Sequence, residues 1–229
     1  MTPAPARDAS GAAGAPRGAR VLRVDRDAPD DDAIRAAAEV VRRGGLVAFP
    51  TETLYGLAAD PWSEAAVARL FAAKGRPEGK GVPVIVADLA AAARLASEIP
   101  AAARALAARH WPGPLTIVVP ARAGLPRGVA PDGVALRRSS CPLADALARA
   151  AGGAVTATSA NRSGDPAPPL DPGRVLAALG DRIDLLLDAG PLPESAASTL
   201  VDARSAPPRL LRRGPVDLGD DVAPPRGGP

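Results

Sequence analysis

Hydrophobic and polar positions follow two patterns along this chain, stripes of helical period and short unbroken apolar runs, and the changes between them mark the elements. Residues 31–43 predict an amphipathic helix: Ile34, Ala38 and Val41 share a face, acidic residues open it and Gly44 lies just past its end. Residues 46–49 form a short apolar run stopped by Pro50, which predicts a buried strand. Ser63 and Glu64 open a second helix through Leu70 and Phe71 to Lys74, so Lys74 emerges at a helix C-terminus beside Gly75. Strands are predicted at 82–86, 115–119, 134–137, 154–158, 183–187, 199–201 and 209–211, and helices at 89–96, 100–109, 142–151 and 171–179. With roughly seven or eight strands, five or six helices and no internal repeat, the class is α/β or α+β.

Length and composition add the domain plan. The 229 residues are 47% hydrophobic and 23% charged, enough for one well-buried core and too short for three domains. That domain is expected over residues 21–216, between a disordered Ala/Pro/Gly/Arg-rich tail at 1–20 and a disordered C-terminal tail at 217–229. No run of eighteen apolar residues occurs, and the N-terminus lacks the apolar stretch of a secretory signal; a soluble, cytoplasmic protein with no membrane partner is expected. One Cys, Cys141, excludes an internal disulfide, and together with one His, His110, it removes the usual zinc ligand sets.

The net charge of only +3 supplies no basic arm, but the kind of basic residue is informative. Of 28 basic residues 26 are Arg, and Ala makes up nearly a quarter of the chain, the drift expected of a GC-rich genome. Against it, scarce residues stand out. The two Lys, Lys74 and Lys80, share one seven-residue stretch, the only Asn is Asn161 in Thr158-Ser159-Ala160-Asn161, and the only Tyr is Tyr55 in Pro50-Thr51-Glu52-Thr53-Leu54-Tyr55-Gly56.

Strand-end loops are where a rigid scaffold presents chemistry. Segments 51–56, 74–80, 137–140, 158–164, 195–199 and 212–214 qualify, and together they hold Lys, Arg, Ser, Thr and Asn with few carboxylates. Such an inventory suits a polyanion such as a nucleoside triphosphate; it lacks the paired carboxylates of a glycosidase and a nucleophile with an obvious base. The spacing around Lys80 does not make a P-loop, no three-glycine dinucleotide fingerprint follows a strand, and one His cannot build a zincin helix. His110 reads as a helix-end residue and Cys141 as an inert small residue before a helix.

Seven motifs then occur in a familiar order: Pro50 to Leu57, Lys74-Gly75-Arg76-Pro77, Trp111-Pro112-Gly113-Pro114-Leu115-Thr116, Val134 to Arg137, Thr158 to Asn161, Ser198-Thr199 and Leu211-Arg212-Arg213-Gly214. This order resembles the YrdC/TsaC family over about residues 30 to 216. The resemblance implies an open, twisted mixed sheet with flanking helices and a concave ligand cavity. It also implies L-threonylcarbamoyladenylate synthase activity, in which L-threonine, bicarbonate and ATP give threonylcarbamoyl-AMP and pyrophosphate for tRNA modification. The amine takes up CO2 to form a carbamate, whose carboxylate attacks the α-phosphorus, so no protein nucleophile is needed and Mg2+ arrives with ATP rather than on protein ligands.

By the same resemblance Lys74 and Arg76 reach the ATP phosphates, Lys80 assists, Thr116, Ser159, Asn161 and Arg212 contact the nucleotide, and Asn161 lies nearest its metal. Thr51 and Ser198 hold the threonine and Arg137 pairs with its carboxylate, a task for a planar bidentate donor. The product passes to a tRNA threonylcarbamoyl transferase complex, with only weak contact to tRNA, and the single-domain form of the family is expected. Two features depart from the family pattern: Arg138-Ser139-Ser140-Cys141 precedes Pro142, and Glu194 puts a carboxylate near the threonine pocket. A related carbamoyl-adenylate enzyme and a non-catalytic RNA-binding paralogue are the rival readings; RNA binding would be salt-sensitive and independent of ATP and threonine.

Overall fold

Helix starts follow capping chemistry. Asp30, Ser63, Asp88 and Asp171 each accept a hydrogen bond from a first-turn N–H, and they open α1 (Asp31–Arg42), α2 (Glu64–Lys74), α3 (Leu89–Leu95) and α6 (Pro172–Leu179). Of the other two, α4 (Ala101–His110) follows Pro100 and α5 (Pro142–Ala150) opens on a proline, whose missing N–H is harmless in a first turn. This computed structural model describes residues 18–77, 79 and 81–224, so Lys80 and most of the expected N-terminal tail lie outside the described residues.

The mixed α/β class holds, with the strands in two mixed sheets, and eleven strands among the described residues stand where seven or eight were predicted. The smaller sheet runs in the order β1 (Arg20–Arg23), β9 (Leu185–Asp188), β2 (Val47–Phe49), β3 (Gly56–Ala58), β8 (Thr158–Ser159). The larger runs β11 (Arg209–Arg212), β10 (Thr199–Asp202), β5 (Leu115–Val119), β6 (Val134–Arg137), β4 (Val84–Val86), β7 (Ala154–Thr156). The division falls inside the run predicted as one strand at 154–158. At Ala157 the chain leaves the larger sheet, where β7 pairs with β4, and enters the smaller, where β8 pairs with β3. The Thr156 hydroxyl bridges that step, donating to the Leu57 carbonyl at 3.0 Å and accepting from the Ala59 N–H at 2.8 Å.

Strands buried on both faces read as continuous apolar runs, which explains why alternation was invisible in the sequence. Val47, Phe49, Ile85, Val155, Leu185 and Leu187 pack with Ile34 and Val41 of α1 and Leu143 and Leu147 of α5. Their neighbours Ala48, Val84, Val86 and Leu186 point the other way, into a larger core shared with Leu115, Ile117, Leu136 and Val201.

The C-terminal domain edge differs from expectation. β1 begins at Arg20 and pairs in parallel with β9, and residues 217–224 fold back instead of forming a tail. Leu218 is buried in the main core, and Ala223 bridges to Arg209 on the edge of β11. The remaining tail residues, 225–229, lie outside the described residues.

Candidate active site

Three strands of the larger sheet bury one set of side chains and present the other. Leu115, Ile117 and Val119 of β5 and Val134 and Leu136 of β6 are core, so Thr116, Val118, Ala135 and Arg137 face the opposite side. There they line a cavity of about 600 Å³, together with Leu200 of β10, Arg212 of β11 and Gly56, Thr158 and Ser159 of the smaller sheet. Loops following the strands close it, which explains why chemistry and strand ends coincide.

Eight of the ten sequence-derived candidates line this cavity: Thr51, Arg76, Thr116, Arg137, Ser159, Asn161, Ser198 and Arg212. They fall into three clusters. In the first, Thr51 Oγ1 donates to the Leu54 carbonyl at 2.7 Å and accepts from the Thr53 and Leu54 N–H groups at 3.1 and 3.2 Å, so its hydroxyl already closes a turn. Thr53 Oγ1 lies 3.0 Å from Thr51 Oγ1 and accepts from Arg137 Nη1 at 3.3 Å. Arg137 is buried, which pulls its pKa down, while Glu52, 3.4 Å away, opposes the shift.

The second cluster joins residues assigned to different substrates. Thr116 Oγ1 and Ser198 Oγ are 2.8 Å apart, and Arg212 donates through Nε and Nη2 to the Ser198 carbonyl at 3.1 and 3.0 Å. Burial and then the charge of Arg137 lower the pKa of Arg212, so two cations face the same space. Gly214 makes the arrangement feasible: a Cβ there would stand 2.3 Å from the Thr199 nitrogen.

The third cluster surrounds Lys74. Its side chain is buried and off the cavity lining, and Nζ donates to the carbonyl oxygens of Ser159 and, at 2.6 Å, Asn161. A lysine at a helix end can point outward or inward; here the loop carbonyls at 159 and 161 supply acceptors that draw it in. Burial, with a smaller contribution from Arg76, lowers its pKa to about 8. Lys74 thus supports the loop that presents Ser159 and Asn161, whose side chains bond to each other at 2.7 Å. Arg76 lines the cavity itself, with Nη2 donating to the Gly81 carbonyl at 3.1 Å and its guanidinium over the Phe71 ring.

Sequence reasoning passed over Glu52, Thr53 and Arg204. Arg204 pairs with Asp202 at 2.7 Å and donates to the Asp132 carbonyl, tying the turn before β6 to the end of β10. Nothing in the sequence around Arg204 marks it; Glu52 and Thr53 lay inside a motif already singled out. Glu194 is exposed and away from the cavity, so it does not crowd the pocket. His110 ends α4, and Cys141 is buried at the start of α5, with burial raising its thiol pKa.

The hydroxyl and amide side chains on the cavity lining offer a metal oxygen donors. Among the described residues no group of three His, Cys, Asp or Glu side chains could hold an ion. Ser159 Oγ and Asn161 Oδ1 are hard oxygen donors of the kind that Mg2+ accepts.

Residues 39–214 match the family described as Sua5/yciO/yrdC, telomere recombination. The chain belongs to that family. Among its relatives, the threonylcarbamoyl-AMP synthase of Pyrococcus abyssi is 41% identical over 187 residues, 81% of this chain and 55% of that protein. The threonylcarbamoyl-AMP synthase of Halorhodospira halophila is 43% identical over 156 residues, 67% of this chain and 81% of that protein. The structure of P. abyssi Sua5 complexed with L-threonine is similar with a TM-score of 0.80 and 39% identity, over 85% of this chain and 57% of that one. The chain therefore spans about half the length of its Pyrococcus relative and most of the Halorhodospira one. No helix among the described residues is long and apolar enough to cross a membrane.

Proposed function

We propose that this Sua5/yciO/yrdC-family chain is a threonylcarbamoyl-AMP synthase, joining L-threonine, bicarbonate and ATP with release of pyrophosphate. The observation that carries the reading is one cavity in which a carboxylate-type site and a phosphate-type site share a border. The register that sets Ile117 opposite Leu136 brings Thr116 beside Arg137, and Thr116 bonds Ser198, which in turn accepts from Arg212. An amino acid whose carboxylate faces Arg137 would lie against that border, with Arg76, Ser159 and Asn161 on the nucleotide side. A volume of about 600 Å³ falls within the usual range for substrate cavities.

The chemistry asks the protein to position rather than to attack. Bicarbonate takes up a proton and loses water to give CO2, the threonine amine adds to that CO2 and releases a proton to form the carbamate, a carbamate oxygen attacks the α-phosphorus, the bond to the β-phosphate oxygen breaks, and pyrophosphate leaves with its electron pair. Arg212 and Arg76 neutralise charge that grows on the phosphates, held in place before the reaction by the strands and loops that carry them. Mg2+ carried by ATP would supply further neutralisation, with Asn161 Oδ1 and Ser159 Oγ available beside it. Lys74 contributes indirectly through the 159–161 backbone. The product is a mixed anhydride that a tRNA threonylcarbamoyl transferase would consume.

Pyrophosphate release from ATP by the purified protein, with L-threonine and bicarbonate each present or omitted, tests this. Release that requires both is expected. Release indifferent to threonine would point to a carbamoyl-adenylate enzyme, and no release with salt-sensitive RNA binding would point to a binding protein.

A further inference from the structure

Arg137 is a buried cation at a cavity wall, and a buried cation needs a counter-charge. Glu52 supplies it in an unusual way. Its Oε2 accepts from the Ser139 hydroxyl, which itself accepts from the Cys141 N–H at 3.2 Å, so the carboxylate is fixed by the loop entering α5. Its Oε1 is buried without any hydrogen-bond partner and stands 3.4 Å from Arg137 Nη1, whose donor bond goes to Thr53. A strong Arg–carboxylate contact is a fork of two short hydrogen bonds; this one makes none, although both groups are nearly excluded from water. Glu52 is not among the residues that line the cavity, whereas Arg137 is.

We propose that Glu52 is a positioning residue that holds Arg137 while the amino-acid pocket is empty and yields it to the substrate carboxylate. Ser139 keeps one Glu52 oxygen occupied, so the Glu52–Arg137 contact stays too loose to outcompete the substrate. This rests on the reading of Arg137 as the partner of the threonine carboxylate.

The test varies L-threonine and ATP separately in the pyrophosphate assay. It also measures the melting shift caused by L-threonine and by L-threoninol, which replaces the carboxylate with an alcohol. Glu52→Gln removes the competing charge with little change of shape; the KM for threonine should fall about tenfold while the KM for ATP stays put. The melting shift with L-threonine should grow, and that with L-threoninol should not. Ser139→Ala should act oppositely, because the freed Oε2 can fork onto Arg137 and raise the KM for threonine. A Glu52→Gln variant with both KM values raised, or with equal changes in the two melting shifts, would make Glu52 a structural residue only. If Glu52→Gln does not fold, an unchanged or lowered threonine KM in Ser139→Ala overturns the proposal. A wild-type protein that releases no pyrophosphate would defeat the functional reading, whereas an active protein with the wrong variant pattern would defeat only the role of Glu52.

Discussion

Gly214→Ala probes the close approach that sets Ser198 against Arg212. A Cβ at 214 would stand 2.3 Å from Thr199 N, 2.5 Å from Ala197 O and 2.6 Å from Ser198 C, all backbone atoms that no rotamer change can move. The strand entry and the exit from β11 would have to part by about 1 Å to reach ordinary contact. Gly214 does not use a left-handed backbone, so alanine is conformationally allowed there. Restriction of the unfolded chain alone would therefore stabilise the variant by about 0.4–1 kcal/mol. Overpacking costs about 1–3 kcal/mol, and because rigid backbone takes the strain the upper part of that range applies, leaving a net loss of about 1–2 kcal/mol. The sign thus separates the two effects. The same displacement moves the Ser198 carbonyl that receives both Arg212 donors, and a 1 Å error in a positioning group is worth on the order of 100-fold in rate. Urea unfolding and kcat/KM for pyrophosphate release measure both. A variant as stable as the parent with unchanged kcat/KM would refute the steric argument.

Further predictions follow from single buried groups. Lys74 has its pKa lowered from 10.5 to about 8, so the cost of burying its ammonium is present below pH 8 and is relieved as pH rises toward 10.5, by at most about 3 kcal/mol. Stability should therefore rise between pH 7.5 and 9 relative to Lys74→Met, a comparison that cancels the opposing effects of Cys141 and Tyr55; parallel stability curves in urea would contradict this. Tyr55→Phe should cost about 1–3 kcal/mol without changing either KM, because its hydroxyl donates to the Gly190 carbonyl and accepts from the Ala189 N–H, away from the cavity. A kinetic effect larger than the stability effect would place Tyr55 in the chemistry. Arg137→Lys keeps a charge beside Glu52 but not the planar fork, so the protein should fold while threonine affinity drops at least tenfold, read as KM for threonine with KM for ATP held as control.

Helix limits were legible because capping is local. Asp30, Ser63 and Asp171 sit within three residues of the N–H groups they satisfy, and the observed starts of α1, α2 and α6 fall within a residue of those predicted. Local too was the grouping of scarce side chains at 51–56, 74–80 and 158–164, segments that hold four of the eight cavity-lining candidates, Thr51, Arg76, Ser159 and Asn161. β3 escaped notice because three residues, Gly56–Ala58, carry no periodicity and are held by Val47–Phe49 and Thr158–Ser159.

What the sequence by itself determined, then, was where the chain turns helical, which runs are apolar enough to be strands, and which loops carry cationic and hydroxyl groups. The tertiary structure alone decided the partners. Lys74 turns inward because carbonyl oxygens 85 and 87 residues away lie within reach. Arg137 meets Glu52 across a similar gap, and Ala157 divides one apolar run between two sheets because strands from distant segments stand on either side. Periodicity tells which face of an element is buried and capping tells where it starts; neither says what stands opposite. That is set when non-local packing is complete, and both the orphaned Glu52 oxygen and the loop-bound Lys74 belong to that level.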